Sequence, residues 1–102
     1  MSKDTLKQAS SEGMLIVSII RAARGVLGWT QPDLAERSGV SLVALARLES
    51  GAASPRLSTV SRLKAAIEEA GIQVIEGQPS GGFTLQVSAR AIEMASENAS
   101  RS

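Results

Sequence analysis

The chain has 102 residues, of which 43% are hydrophobic and only 2% aromatic, and its formal net charge is +1. A chain of this length is expected to form one domain, and its core must be aliphatic. The absence of Cys and His excludes a disulfide framework, a thiolate zinc site and a cysteine nucleophile, and it removes the commonest general base. We therefore predict no catalytic residues, no metal site and no cofactor.

Neither the N-terminus nor any apolar run indicates export or insertion into a membrane. The longest apolar run, from Met14 to Ile20, includes Ser18 and is far shorter than the ~20 residues of a membrane span. The first eight residues are too polar for a signal peptide. We expect a cytoplasmic protein without a membrane segment.

The charges are distributed unevenly along the chain. Residues 21–64 contain seven basic and three acidic residues, whereas residues 65–102 contain two basic and five acidic ones. A polyanion would be attracted to the middle of the chain and repelled by its end. An accidental imbalance among solvated charges is the alternative interpretation.

The first predicted helix follows a polar tail at residues 1–11, which we expect to be disordered. Ser11 is the predicted N-cap, and the helix is expected to end near Leu27, before Gly28. Met14 and Val17 make its apolar stripe wider than a solvated helix needs. We therefore expect the start of this helix to be covered by the C-terminal segment or by another subunit.

The start of the second helix has several local signals. Thr30 is a typical N-cap, Asp33 three residues later completes a capping box, and Trp29 and Leu34 are placed as a hydrophobic staple. Pro32 falls in the first turn, where no amide hydrogen bond is lost. We interpret Trp29 as a packing residue rather than a base-stacking one.

Residues 31–50 predict two short helices packed around one tight turn. Gly39 lies where the chain must leave the first of them with a positive φ, and Ser41 can cap the second. The inward apolar positions are Leu34, Val40, Leu45 and Leu48. Such a unit presents its second helix as an outward ridge, which is the shape that enters the DNA major groove. Arg47 is the one long hydrogen-bond donor on the outward face.

The rest of the chain predicts one more helix, a hairpin and a terminal helix. Ser58 is expected to cap a helix that ends at Ala70. Apolar residues alternate in Ile72–Ile75 and Phe83–Val87, with a glycine-rich loop between them, which predicts a β-hairpin. A short helix is predicted from Ser88 to about Asn98, followed by a disordered tail at residues 99–102.

Three segments together, residues 20–31, 34–41 and 48–55, resemble the lambda-repressor/Cro-like helix-turn-helix family, often called Xre. The resemblance covers roughly residues 14–70. It implies a mainly α fold with a four-helix DNA-binding bundle at residues 12–70. The β-hairpin and the short C-terminal helix that the residue pattern predicts at residues 71–98 depart from the family, in which a fifth helix often serves for dimerisation. It also implies that helix 41–50 reads the major groove of double-stranded DNA, which places the protein at the nucleoid.

The resemblance assigns roles to several residues by position. Gln31 matches a phosphate-binding glutamine, and Arg24 and Glu49 match a structural ion pair between the first and third helices. The base-contacting positions correspond to Ser41, Leu42, Val43 and Arg47. From the residues themselves, helix-start amides near Gln31, Ser41 and Thr59 can bind phosphates, and Arg56 and Ser58 are placed to add backbone contacts.

The hairpin needs support, because an isolated two-stranded hairpin is only marginally stable in water. We predict that it forms a dimer interface rather than merely capping its own core, and pairing across a two-fold axis is one geometry for that interface. The residues predicted for this interface are Ile72, Val74, Phe83, Leu85 and Val87.

The leading functional hypothesis is a homodimeric transcriptional repressor that binds a palindromic operator. An alternative is the antitoxin of a toxin–antitoxin pair, with the acidic C-terminal half as the partner-binding part. A protein-interaction adaptor that does not read DNA is the third. An enzyme is the weakest hypothesis: there is no Gly-x-Ser-x-Gly motif, and adjacent Glu68 and Glu69 cannot flank a substrate.

Overall fold

The computed structural model of the chain describes the backbone of residues 2–100 and the side chains of residues 13–100. Its elements, in chain order, are α1 (Ser2–Leu27), α2 (Gln31–Ser38), α3 (Leu42–Glu49), α4 (Leu57–Glu69), β1 (Ile72–Glu76), β2 (Phe83–Val87) and α5 (Ala89–Ser100). The predicted order of four helices, a hairpin and a terminal helix is confirmed.

Both terminal helices are longer than the sequence patterns predict. The first helix begins at Ser2, so Ser11 lies inside it and the prediction that Ser11 is its N-cap is wrong. Residues 2–12 contain neither Gly nor Pro, and polar residues of ordinary helix propensity can extend a helix without an apolar stripe. The last helix continues past Asn98 to Ser100, and residues 1, 101 and 102 lie outside the described residues.

The core is aliphatic, as the composition predicts; it lies between the first four helices and is completed by Ile72 of β1 and Ala91 of α5. The largest fully buried side chains are Ile19, Ile20, Leu27, Leu34, Leu45, Leu63, Ile67 and Ile72. Trp29 is buried among them, which confirms that it is a packing residue. Arg37 covers this indole, with its guanidinium carbon 5.1 Å from the ring centroid.

The C-terminal helix α5 packs against α1. Asn98 Nδ2 donates a hydrogen bond of 3.1 Å to the carbonyl oxygen of Leu27 at the end of α1, and Ala91 is fully buried in the core. Val17 is buried as well, whereas Met14 remains exposed. The C-terminal segment therefore packs against α1 but leaves the Met14 side chain exposed.

The hairpin closes the core from one side. Its strands are antiparallel, with Ile72 opposite Val87 and Val74 opposite Leu85, so these four side chains share one face. Ile72 is buried in the chain's own core, and Val74 and Leu85 pack against it. The prediction that Ile72 lies in a dimer interface is therefore wrong, because the core already covers this side chain.

The turn from α4 into the hairpin depends on Gly71. Its φ is +102°, and a Cβ atom there would lie 3.1 Å from the backbone nitrogen of Ala91. The carbonyl oxygen of Gly71 accepts a 3.0 Å hydrogen bond from the backbone N–H of Ser88. A glycine is required here because a side chain would be strained and would push α5 away.

Candidate nucleic-acid interface

Local capping interactions fix the positions of α2 and α3. The Thr30 side chain accepts a 3.2 Å hydrogen bond from the backbone N–H of Asp33, whose carboxylate accepts one of 2.9 Å from the Thr30 N–H. Gly39 leaves α2 with a φ of +75°. The Ser41 hydroxyl accepts a 3.1 Å bond from the Ala44 N–H. The predicted capping box, the turn glycine and the Ser41 cap are all confirmed.

The helix α3 has one buried and one exposed side. Leu45 and Leu48 are buried, and they anchor the helix to the core. On the other side, Leu42, Val43 and Arg47 are exposed. The predicted partition of this helix is therefore confirmed, and α3 forms an outward ridge eight residues long.

Behind the ridge, Glu49 forms a largely buried ion pair with Arg24 of α1. The Arg24 Nε donates to Glu49 Oε2 at 2.9 Å, and Nη2 donates to Oε1 at 2.7 Å. The two side chains are 20% and 4% exposed, respectively. Arg24 Nη1 also donates to the Trp29 carbonyl oxygen at 3.0 Å. This one guanidinium therefore links the end of α1, the start of α2 and the end of α3.

The ionisation of Glu49 follows from these contacts. Burial alone would raise the pKa of Glu49, because the charged form loses hydration. Hydrogen bonds from Arg24 and Gln31, together with the positive charges of Arg24 and Arg21, outweigh that effect and lower the pKa below its ordinary value. Glu49 is therefore a stable anion at neutral pH and a fixed anchor for α3.

Gln31 and Arg21 are the members of this cluster that sequence reasoning did not place there. Gln31 Nε2 donates to Glu49 Oε1 at 3.3 Å, so the side chain predicted to bind phosphate is held by the ion pair. Arg21 Nε lies 3.9 Å from the same oxygen, with its side chain 64% exposed. The signal for Arg21 was its position one helical turn before Arg24.

The start of α4 differs in detail from the prediction. The helix begins at Leu57 with Arg56 as its N-cap, and Arg56 makes no side-chain capping bond among the described residues. The prediction that Ser58 is the N-cap is wrong, because Ser58 already lies in the first turn. Arg56 and Ser58 are exposed and Thr59 is half-buried, so the first turn presents polar groups at the surface.

The basic residues of the central segment are largely exposed. Arg24 and Lys64 pair with Glu49 and Glu76, respectively. The other basic residues of the segment 21–64 are arginines that lie at the surface: Arg21, Arg37, Arg47, Arg56 and Arg62. They supply positive charge to the helix-turn-helix unit, as binding to a polyanion requires.

The helix-turn-helix family matches residues 20–73, which is more than half of the chain. The chain therefore belongs to this family, that of the Xre or lambda-repressor-like helix-turn-helix proteins, and the predicted resemblance and fold class are confirmed. The family is one of DNA-binding transcription regulators rather than enzymes, and duplex DNA is the partner that it implies. No curated protein and no solved structure matches the chain significantly.

Within the described part of the chain, no single helix has both the length and the apolarity to cross a membrane. The segments Gly13–Leu27 and Gln31–Ser38, which meet at a bend of 103°, are together long and apolar enough, by length and composition only. The described residues hold no group of three or more His, Cys, Asp or Glu side chains placed to bind a metal ion.

Proposed function

We propose that this protein is a homodimeric transcriptional repressor that inserts α3 into the major groove of a palindromic operator. The observation that carries the proposal is the construction of α3. Its buried side is fixed by Leu45, Leu48 and the Glu49–Arg24 ion pair, while its opposite side protrudes with Arg47 exposed. A rigid ridge with an outward cation fits direct readout of base edges.

Three sets of groups would hold the duplex around this ridge. Arg47 and the exposed side chains of Ser41, Leu42 and Val43 face the bases. The amides at the starts of α2, α3 and α4 bind phosphates, because helix N-termini favour anions. Arg56, Ser58 and Thr59 add contacts beside the start of α4. Gln31 reaches a phosphate by turning away from Glu49. Its hydrogen bond to Glu49, at 3.3 Å, is the longest hydrogen bond of that cluster.

The exposed apolar side chains outside residues 21–64 support dimerisation. Met14, Val87 and Ile92 are the large ones that remain exposed on α1, β2 and α5 within residues 13–100, and α1 contacts both other elements. Together with Phe83, which is half-buried, they are the side chains that we assign to the contact with a second subunit, and none of them lies on α3. A two-fold dimer would place two copies of α3 about 34 Å apart, in successive major grooves.

Footprinting on the DNA upstream of the protein's own gene, at 50 and 200 mM salt, tests the proposal. We expect protection of two half-sites one helical turn apart. Six phosphate contacts would weaken affinity by about 10³-fold over this salt range. Sedimentation equilibrium without DNA should give twice the mass of one chain. The absence of protection from any duplex at low salt would contradict the proposed function.

A further inference from the structure

The outward face of α3 is apolar in its first turn. Leu42 is 45% exposed and Val43 is 70% exposed, and both lie in the first turn of the helix, next to the turn that begins it. Ala46 continues this face one turn later. These side chains have no hydrogen-bonding group. We call Leu42 and Val43 the aliphatic pair.

The major groove contains one apolar group that such a pair can bury. The edges of guanine, cytosine and adenine present only hydrogen-bond donors and acceptors, whereas thymine adds the C5 methyl group. Covering a donor or acceptor with Leu or Val would leave it unpaired and cost free energy. A thymine methyl against the same side chains removes apolar surface from water on both partners.

Charge complementarity selects a nucleic acid rather than a protein as the occupant of this face. Arg47 lies on the same side of α3, one turn after Val43, and Arg56 follows α3 at the start of α4; both are exposed. The helix-turn-helix unit from residue 21 to residue 64 has four more basic than acidic residues. An apolar face beside exposed arginines suits a groove that has phosphates at its edges and methyl groups on its floor.

We propose that the aliphatic pair reads the 5-methyl groups of pyrimidines, so that α3 distinguishes thymine from uracil and accepts 5-methylcytosine in place of thymine. This inference rests on the proposed function, because it requires α3 to lie in the major groove. Burial of one methyl group is worth about a fourfold change in affinity. Two methyl groups at separate positions would give about 15-fold if their effects add.

The experiment begins with selection of a preferred duplex from a random library. Each thymine of that duplex is then replaced singly by deoxyuridine, which removes the methyl group and leaves base pairing and the other groove atoms intact. We expect about a fourfold loss of affinity at one or two thymines in each half-site. Cytosine and 5-methylcytosine at the same positions should differ by a similar factor.

Two variants assign the effect to the aliphatic pair. The double variant Leu42→Ala/Val43→Ala should bring the thymine-to-uracil affinity ratio close to one, and circular dichroism checks that it folds, as the exposure of both side chains predicts. Ile92→Ala removes a branched side chain that is 57% exposed on α5, in the surface proposed for the second subunit. It should therefore weaken binding to the thymine and uracil duplexes by the same factor and leave their ratio unchanged.

The outcomes separate this inference from the proposed function. A duplex that binds equally well with deoxyuridine at every thymine position would overturn methyl readout and leave DNA binding intact. A ratio that survives the double variant Leu42→Ala/Val43→Ala would overturn the role of the aliphatic pair. If no duplex binds at low salt, both proposals fail, and α3 becomes a face for binding another protein.

Discussion

The ion pair between Arg24 and Glu49 is predicted to be the main polar determinant of the position of α3. The perturbation is a double-mutant cycle with Arg24→Met and Glu49→Met, which replace each charged side chain with an apolar one of similar length. Either single variant leaves the other charge buried without its partner. Such a loss costs about 3–5 kcal/mol for a fully buried pair.

The geometry sets the expected size of each effect. In Glu49→Met, the Arg24 side chain is 20% exposed and keeps its bond to the Trp29 carbonyl oxygen, so water and this carbonyl relieve part of the cost. In Arg24→Met, Glu49 keeps its hydrogen bond from Gln31 and the nearby charge of Arg21. We therefore expect each single variant to lose about 2–4 kcal/mol of unfolding free energy. The double variant has no unpaired charge and should lose less than about 1 kcal/mol, since apolar replacement of a buried pair is often neutral. The resulting coupling energy is about 3 kcal/mol or more.

Urea unfolding followed by circular dichroism, at one fixed protein concentration, measures all four corners of the cycle. Arg21→Met is the matched control: its cation lies 3.9 Å from the same carboxylate but is 64% exposed, so its loss should cost about 0–1 kcal/mol. If the costs of the two single variants simply add up in the double variant, the two charges do not interact, and the ion pair does not determine the position of α3.

Three further predictions concern acid stability, the indole and the exposed cation. Because its pKa is lowered, ionised Glu49 stabilises the fold above the ordinary carboxyl pKa of about 4.3, and this stabilisation is lost as the pH falls below that value. The unfolding free energy of Glu49→Gln should therefore decrease less between pH 5 and pH 3 than that of the unmodified protein. The Trp29 Nε1 is buried without a hydrogen-bond partner among the described residues, so Trp29→Phe should change stability by about 1 kcal/mol at most in urea titrations, against about 3–5 for Trp29→Ala. Arg47→Ala should weaken binding to the preferred duplex by about 1–3 kcal/mol, and it should relax specificity at one position if the guanidinium binds a guanine. As the control, Arg90→Ala removes an exposed arginine on α5 and should leave affinity within twofold. Equal losses from both variants would argue against a specific contact.

The features that the sequence predicted well are those fixed by neighbouring residues. Thr30 and Asp33 are three positions apart, so the capping box needs only the first turn of α2. Gly39 supplies a backbone conformation that other residues avoid. Leu45 and Leu48 follow from helical periodicity. These rules act within one turn, so they also placed the outward face of α3.

The features that the sequence did not predict depend on contacts between distant segments. The Gln31 side chain bonds to Glu49, 18 residues away, and no local pattern favours this over a phosphate. The hairpin alternates as a half-buried strand pair should, but periodicity does not say whether Ile72 packs on its own core or on a second subunit. The start of α4 at Leu57 rather than after Ser58 is a boundary of the kind that capping preferences alone leave open.

Insertion of α3 into the major groove is tested most directly by dimethyl sulfate protection on the preferred duplex, which reports on both grooves at once. Guanine N7 lies in the major groove and adenine N3 in the minor groove. With α3 in the major groove, the bound protein lowers methylation of guanine N7 within each half-site and leaves adenine N3 there reactive. Protection of adenine N3 alone, with guanine N7 fully reactive, would contradict insertion of α3 into the major groove.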